Sequence, residues 1–352
     1  MSAVLPRTRR ADAARSLPTD VAGRRTPTLA LAGCGVVGSA LLRLLDEDAL
    51  PGCSSRDVAA VLVRDAYRPR EVAVPADRFT HDVRTFAAVR SRVVVEALVG
   101  VEPALALARA TLRRGARYVT ANKQLVATHG AELARLAVRH GGALDFEAAA
   151  GGAVPVVRAL RDGLAGTGVH AVRGVLNGTT NFVLTAAMAG TSVEAAVRDA
   201  QARGFAEADP SRDLDGHDAA DKVRLLAWLA FGVAPHQLPV TIEGFAPAAE
   251  RLEAARARGA AVRQVAEVRR TTSGLEARVA LQLLDADDPL ASVQRERNRV
   301  VVESRSAGAL VFEGPGAGGD ATAGAIIADL RRGGAALPGQ RVVRLAAPET
   351  GE

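Results

Sequence analysis

Only two of the 45 lysine and arginine residues are lysines, and both lie in polar segments: Lys123 follows an asparagine, and Lys222 ends an acidic run. An arginine stays protonated, whereas the amine of a lysine can be tuned to give and take a proton. The distribution therefore favours proton transfer by Lys123 and Lys222 over the alternative that both lie on solvated helix faces. We treat them as the candidate reactive pair.

The run that ends at Lys222 begins at Gly204 and is crowded with carboxylates. Its acidic residues are Glu207, Asp209, Asp213, Asp215, Asp218 and Asp221. Such a density of negative charge requires solvent or a cationic partner. Asp218 and Lys222 are four residues apart and face each other on a helix, either to hold the amine or as an ordinary surface ion pair. Glu207 and Asp213 suit a substrate that carries an ammonium group.

A calcium loop is the rival interpretation of this run, because Asp213, Asp215 and Gly216 share part of the calcium-loop pattern. That pattern requires an acidic residue at position 211 and a glutamate at position 222, where the sequence has Ser211 and Lys222. A lysine at a ligand position disfavours divalent metal binding. The lysine chemistry is therefore the favoured interpretation.

Gly33, Gly35 and Gly38 form a G-x-G-x-x-G motif between a short apolar run, residues 28–32, and a segment with helical apolar spacing. In that setting the glycines allow a tight turn, a close approach to a pyrophosphate and a helix N-terminus directed at its charge. The motif predicts dinucleotide binding, with a purely structural glycine turn as the alternative.

The end of the next predicted strand, residues 57–63, bears on cofactor choice because Arg64 and Asp65 follow it directly. An acid at this place usually binds the ribose 2′-hydroxyl of NAD, whereas an arginine accommodates the 2′-phosphate of NADP. Both side chains are present, so NAD and NADP remain open. NADP is favoured because Arg64 comes first.

Two amines, several carboxylates and a nicotinamide cofactor together suit hydride transfer from an alcohol. The hydroxyl proton must leave as the hydride leaves carbon, so a base has to contact that oxygen. A lysine with a neighbouring like charge or partial burial could serve as the base. Because the carboxylates fit an ammonium group, the residues predict a dehydrogenase that acts on an amino-acid alcohol.

The predicted strands and helices that must position these residues follow two different patterns along the chain. Short apolar strands alternate with helices at residues 28–32, 57–63, 92–98, 118–122 and 143–147. This alternation predicts a Rossmann-type doubly wound parallel sheet, with Lys123 at the carboxyl end of a strand. Later β-like runs follow several helices, at residues 261–269, 275–284, 299–304 and 309–313. They predict an inserted α+β domain with a mainly antiparallel sheet.

The predicted domains are a dinucleotide-binding domain at residues 28–155, completed by residues 314–345, and a catalytic and dimerisation domain at residues 156–313. A second glycine-rich turn before a helix marks the completing segment. Residues 1–27 are predicted to be a disordered arginine-rich tail and carry +4 of the net charge of +6. The remainder is therefore close to neutral.

Composition excludes several classes of protein. Hydrophobic residues make up 48% and charged residues 24%, which is typical of a globular protein. Aromatic residues are only 3%, without the basic surface pattern of a nucleic-acid binder. The longest uncharged run, residues 174–193, is interrupted by Asn and Thr, so no membrane span is expected. Cys34 and Cys53 are too few for a disulfide scaffold and favour the cytoplasm.

The motifs resemble those of the homoserine dehydrogenase family from residue 28 to about residue 332. In order, they read GCGVVG, EALVGVEPA, TANKQLVATHG, FEAAAGGAVPVVRAL, VLNGTTNFVL, GFAEADPSRDLDGHDAADK and GPGAGG. The resemblance implies interconversion of L-homoserine and L-aspartate 4-semialdehyde with NAD or NADP, in threonine and methionine biosynthesis, by a homodimer joined through the second domain's sheet. The alternatives are a related dehydrogenase for another amino-acid alcohol or semialdehyde, and a catalytically silent dinucleotide-binding regulator.

The resemblance also implies roles for individual residues. Lys222 would be the acid/base at the substrate oxygen, beside Lys123. Glu207, Asp213 and Asp218 would recognise homoserine or order the lysine. The implied cofactor-binding residues are Gly33, Gly35, Val36, Val37, Gly38, Arg64, Gly100, Lys123 and Gly318. A monovalent cation, Na⁺ or K⁺, would be held largely by backbone carbonyls of Glu147, Ala150, Gly152 and Val154.

Three departures from the family pattern stand out. Val99 replaces the first of two usual glycines, which would narrow the cofactor cleft. Residues 259–284 fit the pattern loosely. The chain ends soon after the completing helix, so we expect the form without a C-terminal amino-acid-binding regulatory domain.

Overall fold

The computed structural model describes residues 29–332, which form two six-stranded sheets and the helices that pack on them. The fold class predicted from the sequence, a Rossmann-type parallel sheet with a second α+β unit, is confirmed. The predicted tail, residues 1–27, and the end of the predicted completing segment, residues 333–345, lie outside the described residues. The predicted domain boundaries stay predictions.

The first sheet is parallel throughout and has the spatial order β3-β2-β1-β4-β5-β6. Its strands are β1 (Leu29–Ala32), β2 (Val58–Leu62), β3 (Phe79–Thr80), β4 (Val93–Glu96), β5 (Arg117–Thr120) and β6 (Ala143–Asp145). The intervening helices are α1 (Val36–Asp46), α2 (Val83–Ala88), α3 (Ala104–Arg113) and α4 (Lys123–His140). Because the order reverses between β1 and β4, their carboxyl ends flank the crevice where such sheets bind ligands.

The second sheet has the order β12-β11-β7-β9-β10-β8 and is antiparallel except where β8 joins β10. Its strands are β7 (Val169–Val175), β8 (Thr241–Ile242), β9 (Ala261–Thr271), β10 (Gly274–Leu284), β11 (Arg297–Ser304) and β12 (Gly308–Pro315). The remaining helices are α5 (Glu147–Gly151), α6 (Val156–Arg158), α7 (Gly178–Met188), α8 (Val193–Ala202), α9 (Ser211–Leu214), α10 (His217–Phe231), α11 (Ala248–Arg258) and α12 (Gly319–Arg332). The loosely matching residues 259–284 thus form two paired strands.

The secondary structure predicted from local sequence was wrong for a few short elements. Residues 177–181, predicted to be a polar turn, are the cap and first turn of α7, because the Asn177 side chain accepts a hydrogen bond from Thr180 N at 2.8 Å. Glu147, predicted to end a strand, begins α5. Helix α2 and strands β3 and β8 were not predicted from the sequence. The two strands contain two residues each and depend on pairing with distant strands, which local periodicity does not report.

Helix α12 returns the chain to the first sheet and packs on α1. Ala323, Ile326 and Leu330 lie in the same buried cluster as apolar residues of α1. Arg43 of α1 forms an ion pair with Asp320 at the start of α12. The second sheet is therefore an insertion between two parts of one layered unit.

Asp329 of α12 is fully buried where α12 meets α5. Its Oδ2 accepts a hydrogen bond from Glu147 N at 2.9 Å, but its Oδ1 has no hydrogen-bond donor among residues 29–332. Burial first, and then the negative charge of Asp145, raise the pKa of Asp329 to about 7. The folded protein therefore holds a proton that the unfolded chain releases at lower pH.

Replacement of the Asp329 carboxyl by an amide tests whether this side chain is protonated in the folded protein. As pH rises from about 4 to about 7, the unfolded chain loses the proton first, so the stabilising contribution of Asp329 is lost over this window. We expect Asp329→Asn to change stability little at pH 4 and to raise the free energy of unfolding by about 4 kcal/mol at pH 8. Urea unfolding at the two pH values measures the difference.

The exposed Asp285→Asn is the matched control for the loss of one carboxylate charge. An Asp329→Asn effect that is the same at pH 4 and pH 8 would contradict the buried proton.

Candidate active site

Lys222 lies on α10 and is 8% exposed. Its Nζ lies 2.9 Å from Asp218 Oδ2, one helical turn earlier, and donates a hydrogen bond to the Leu176 carbonyl at 2.6 Å. Helix α10 begins after Gly216, whose φ of +88° and contact with Val279 leave no room for a side chain. The second sheet therefore fixes the start of the helix and, with it, the position of the amine.

Lys123 approaches the same carboxylate from the first sheet. It is the first residue of α4, which Asn122 caps by accepting a hydrogen bond from Leu125 N at 3.0 Å. Lys123 Nζ lies 2.5 Å from Asp218 Oδ1. The predicted reactive pair is thus brought together, with one lysine on each oxygen of Asp218.

Asp218 is 5% exposed, and its burial opposes ionisation. The nearby ammonium groups of Lys222 and Lys123 outweigh that effect and hold the pKa of Asp218 well below its usual range. Burial likewise disfavours the charged form of Lys123, but the Asp218 carboxylate raises the pKa of Lys123 above its ordinary value. Asp218 and Lys123 are therefore charged and stabilise each other.

Asn177 extends this cluster to Asp213. Its Nδ2 donates to Asp213 Oδ1 at 2.8 Å and to Asp218 Oδ2 at 3.1 Å. Burial raises the pKa of Asp213, while the hydrogen bond from Asn177 acts against that shift. Asn177 is a site residue that sequence reasoning missed, because the segment was assigned to a turn.

Glu207, by contrast, is exposed, and its carboxylate has no hydrogen bond or ion pair with any residue in the described part of the chain. Asp221, at the edge of the cluster, pairs with Arg224 at 3.2 Å and with Arg212 at 3.4 Å. Within the acidic run, Asp218 and Asp221 therefore have cationic partners, whereas Asp213 is held by an amide.

The glycine motif has the conformation that it predicts. Gly33 has a φ of +100°, and a Cβ on Gly38 would lie 2.1 Å from the Gly33 carbonyl oxygen, so both positions require glycine. A Cβ on Gly35 would have no atom of the described residues within 4 Å. The space in front of Gly35 is therefore open at the N-terminus of α1.

That space belongs to a cleft of about 1550 Å³ between α1, the loop after β2 and the turn before α12. Of the predicted cofactor-binding residues, Gly35, Val36 and Gly318 line it. The other predicted residues are not among its lining residues, namely Gly33, Val37, Gly38, Arg64, Gly100 and Lys123. Gly33 and Gly38 shape the turn from behind.

The loop after β2 presents arginines that sequence reasoning missed. Arg68 and Arg70 line the cleft, whereas Arg64 is exposed outside it. Arg70 donates to the carbonyls of Arg68 and Asp65, each at 2.8 Å, and lies over the Phe79 ring. The Arg68 guanidinium has no hydrogen-bond or ion-pair partner within residues 29–332. A cluster of arginines beyond the strand end was the available signal.

Gly100 and Val99 lie in the loop that follows β4. The Gly100 carbonyl accepts a hydrogen bond from Asn122 Nδ2 at 2.7 Å, which ties this loop to the residue before Lys123. Val99 is 87% exposed and is not among the residues that line the cleft, so the narrowing of the cleft by Val99 stays a prediction. Behind the loop, buried Glu96 accepts hydrogen bonds from Leu98 N and Thr120 Oγ1, both at 2.6 Å. Glu96, an acid in an apolar strand, was also missed.

The predicted cation loop, residues 147–154, has no cluster of acidic side chains. Glu147 accepts hydrogen bonds from Val157 N and Arg158 N, each at 2.9 Å, so its carboxylate caps α6. No group of three His, Cys, Asp or Glu side chains within residues 29–332 could hold a metal ion. A cation here would depend on backbone carbonyls such as that of Gly152.

The helices of residues 29–332 include none with the length and apolar character needed to cross a membrane.

Family models match both parts of the chain. Residues 33–147 match the model described as homoserine dehydrogenase, NAD binding domain, and residues 155–330 match the homoserine dehydrogenase model. Together they cover the first sheet except β1, the second sheet and most of α12.

Similar proteins carry the same name. Homoserine dehydrogenase of Corynebacterium glutamicum is 40% identical over 316 residues, which are 86% of this chain and 70% of that protein. The Bacillus subtilis homoserine dehydrogenase is 35% identical and is covered over 71% of its length. A crystal structure of a homoserine dehydrogenase from Thiobacillus denitrificans matches with a TM-score of 0.77 and 31% identity, over 86% of this chain and 72% of that one.

The open space at Gly35 gives a direct test of the cofactor site. Gly35 has a φ of −91°, which alanine adopts without strain, so Gly35→Ala should fold normally and place its methyl where a pyrophosphate would lie. We expect NADPH affinity to fall by roughly tenfold or more, with the unfolding temperature unchanged. Titration calorimetry and thermal unfolding measure the two effects.

Gly324→Ala on α12 is the control, because its Cβ also meets no atom within 4 Å but does not face the cleft. It should leave NADPH affinity unchanged. Equal NADPH affinity in Gly35→Ala and the wild type would exclude this site.

Proposed function

The chain belongs to the homoserine dehydrogenase family, and from that premise we propose that Lys222 is the acid/base of its reaction. The reaction is the NAD(P)-dependent interconversion of L-homoserine and L-aspartate 4-semialdehyde, a step of threonine and methionine biosynthesis. A nicotinamide dinucleotide is therefore its cofactor, and when bound it accepts or supplies the hydride.

The observation that carries the assignment of Lys222 is the arrangement of its hydrogen bonds. An ammonium group has three N–H donors, and Lys222 uses one toward Asp218 and one toward the Leu176 carbonyl. One donor is left for the substrate oxygen. Because Lys222 is buried and held at two points, its remaining donor has a fixed direction.

In the direction of reduction, the Lys222 ammonium donates a proton to the carbonyl oxygen of the semialdehyde as the hydride reaches carbon. In the reverse direction the amine takes the hydroxyl proton of homoserine. Asp218 keeps Lys222 and Lys123 in place through both steps. Lys123 is the more exposed of the two, so it can also contact cofactor and substrate.

Asp213 and Glu207 are proposed to bind the substrate ammonium. Asp213 lies beside Asp218 through the shared Asn177 amide, and the free carboxylate of Glu207 is available for an ion pair. An ammonium group between them would be stabilised by both charges.

NADP is the proposed cofactor in preference to NAD. Arg68 supports this choice, because its free guanidinium faces the cleft beyond β2, where a 2′-phosphate would lie. The original candidate, Arg64, follows β2 directly but does not line the cleft. Substitution of Arg68 and substitution of Arg64 are therefore expected to have different effects on NADPH binding.

Three further properties are proposed. A monovalent cation is supported by the carbonyls of residues 147–154, since Gly152 O accepts no hydrogen bond from another described residue. A homodimer through the second sheet is supported by the apolar Val311 of β12, which is 49% exposed. A cytoplasmic location is supported by Cys34 and Cys53, which are free thiols.

The acid/base role predicts the effect of Lys222→Arg. Arginine keeps the positive charge but cannot exchange its proton at neutral pH, so turnover should fall by roughly 10²-fold or more. The assay is NADPH oxidation with aspartate semialdehyde, followed by absorbance. Arg224→Lys on the same helix is the control and should keep turnover within about twofold.

Wild-type turnover in Lys222→Arg would exclude Lys222 as the acid/base. A wild-type protein that binds NADPH but turns over no semialdehyde would instead point to the silent-regulator alternative.

The cofactor proposal predicts a contrast between two arginines. Arg68→Ala should lower kcat/KM for NADPH by roughly tenfold and leave that for NADH unchanged, because only NADPH carries the 2′-phosphate. Arg64→Ala should change neither value. The opposite pattern would return the role to Arg64, and no effect of either substitution would argue against a preference for NADP set at this strand end.

A further inference from the structure

Asn298 of β11 is fully buried behind Lys222 and belongs to none of the predicted sites. Its Nδ2 donates a hydrogen bond to the Leu176 carbonyl at 3.1 Å. The same carbonyl accepts the hydrogen bond from Lys222 Nζ at 2.6 Å. One backbone oxygen therefore joins the buried amide to the proposed acid/base.

The other side of the Asn298 amide packs on Gly316, in the turn between β12 and α12. A Cβ on Gly316 would lie 2.3 to 2.5 Å from the Cγ, Oδ1 and Nδ2 atoms of Asn298, so the amide rests directly on the glycine backbone. Two residues later, Gly318 lines the cofactor cleft, and Gly319 adjoins Val36 of the glycine motif. The amide thus lies between the cleft and the lysine.

The Asn298 side chain leaves one of its polar atoms without a hydrogen bond within residues 29–332, which is unfavourable for stability. Its Oδ1 is buried and has no donor in the described part of the chain. A buried acceptor without a partner is a net cost in folding free energy. The amide is therefore better explained by what its N–H group positions than by a net gain in folding free energy.

We propose, on the premise that Lys222 is the acid/base, that Asn298 is a positioning residue. It orients the Leu176 carbonyl that holds Lys222 and couples this carbonyl to the Gly316 turn of the cofactor cleft. A shift of the turn moves the amide, because no space separates the two. The amide in turn moves the carbonyl that fixes the direction of the lysine.

A double-substitution cycle at Asn298 and Gly316 tests the coupling. Asn298→Ala removes the N–H group and should lower kcat by roughly tenfold, with NADPH affinity unchanged and with an altered pH profile of kcat. Gly316→Ala keeps every hydrogen-bonding group but displaces the amide, so kcat should fall to a similar extent. In the Asn298→Ala background there is room for the new methyl, so the second substitution should cost little more.

The matched control is Asn181→Ala. Asn181 is also a buried amide with an unpartnered Oδ1, and its Nδ2 donates to the Arg295 carbonyl at 2.8 Å, away from Lys222. It should lower thermal stability but leave the pH profile of kcat unchanged. If Asn298→Ala cannot be obtained folded, the pH profile of Gly316→Ala alone decides: an unchanged profile overturns the proposal.

Wild-type kcat in Asn298→Ala overturns the proposal, as do losses in the two single variants that simply multiply in the double variant. This failure is distinct from failure of the proposed function. If Lys222→Arg loses turnover while Asn298→Ala keeps it, only the coupling is wrong. If Lys222→Arg keeps turnover, the acid/base assignment itself fails.

Discussion

The buried carboxylate of Asp218 is the constraint on which the arrangement of the two sheets depends. A charge removed from water must be paired, and removal of one partner from such a group typically costs 3–5 kcal/mol. One partner, Lys222, shares its helix, but the other, Lys123, begins a helix of the first sheet. The carboxyl edge of the parallel sheet is therefore held against α10. The same ion pairs therefore set both the geometry of the site and the packing of the two sheets.

Around this ion cluster, backbone carbonyls and asparagine side chains position the functional groups. The Leu176 carbonyl holds Lys222, the Asn122 amide ties the start of α4 to Gly100, and Asn177 joins Asp213 to Asp218. The two asparagine amides thus hold other groups of the site: Asn122 holds the loop at Gly100, and Asn177 holds two carboxylates. Such preorganisation keeps charged groups fixed while a proton moves, so little reorganisation is required during reaction.

Local patterns in the sequence predicted the features that depend on local geometry. The glycine motif requires one turn, and the spacing of Asp218 and Lys222 requires one helix, so both could be inferred without a structure. Arg68 could not, because the loop path that turns it toward the cleft is set by the contacts of Arg70 with backbone carbonyls and Phe79. Asn177 caps α7, but its polar neighbours Gly178, Thr179 and Thr180 are typical of a turn, so the helix start was not predicted there. The packing of Asn298 on Gly316 joins distant positions, which no periodicity reports.

Helix α12 has a consequence for the order in which the protein is made. The ion pair between Arg43 and Asp320 joins residues 277 positions apart, and Ile326 and Leu330 cover the apolar face of α1. During synthesis the second sheet leaves the ribosome before α12 does. The nascent first sheet therefore waits with that face uncovered, a state in which chaperones or aggregation compete with folding. The cofactor cleft is completed only when α12 packs on α1, so a nascent chain that has not yet reached α12 has an incomplete cleft.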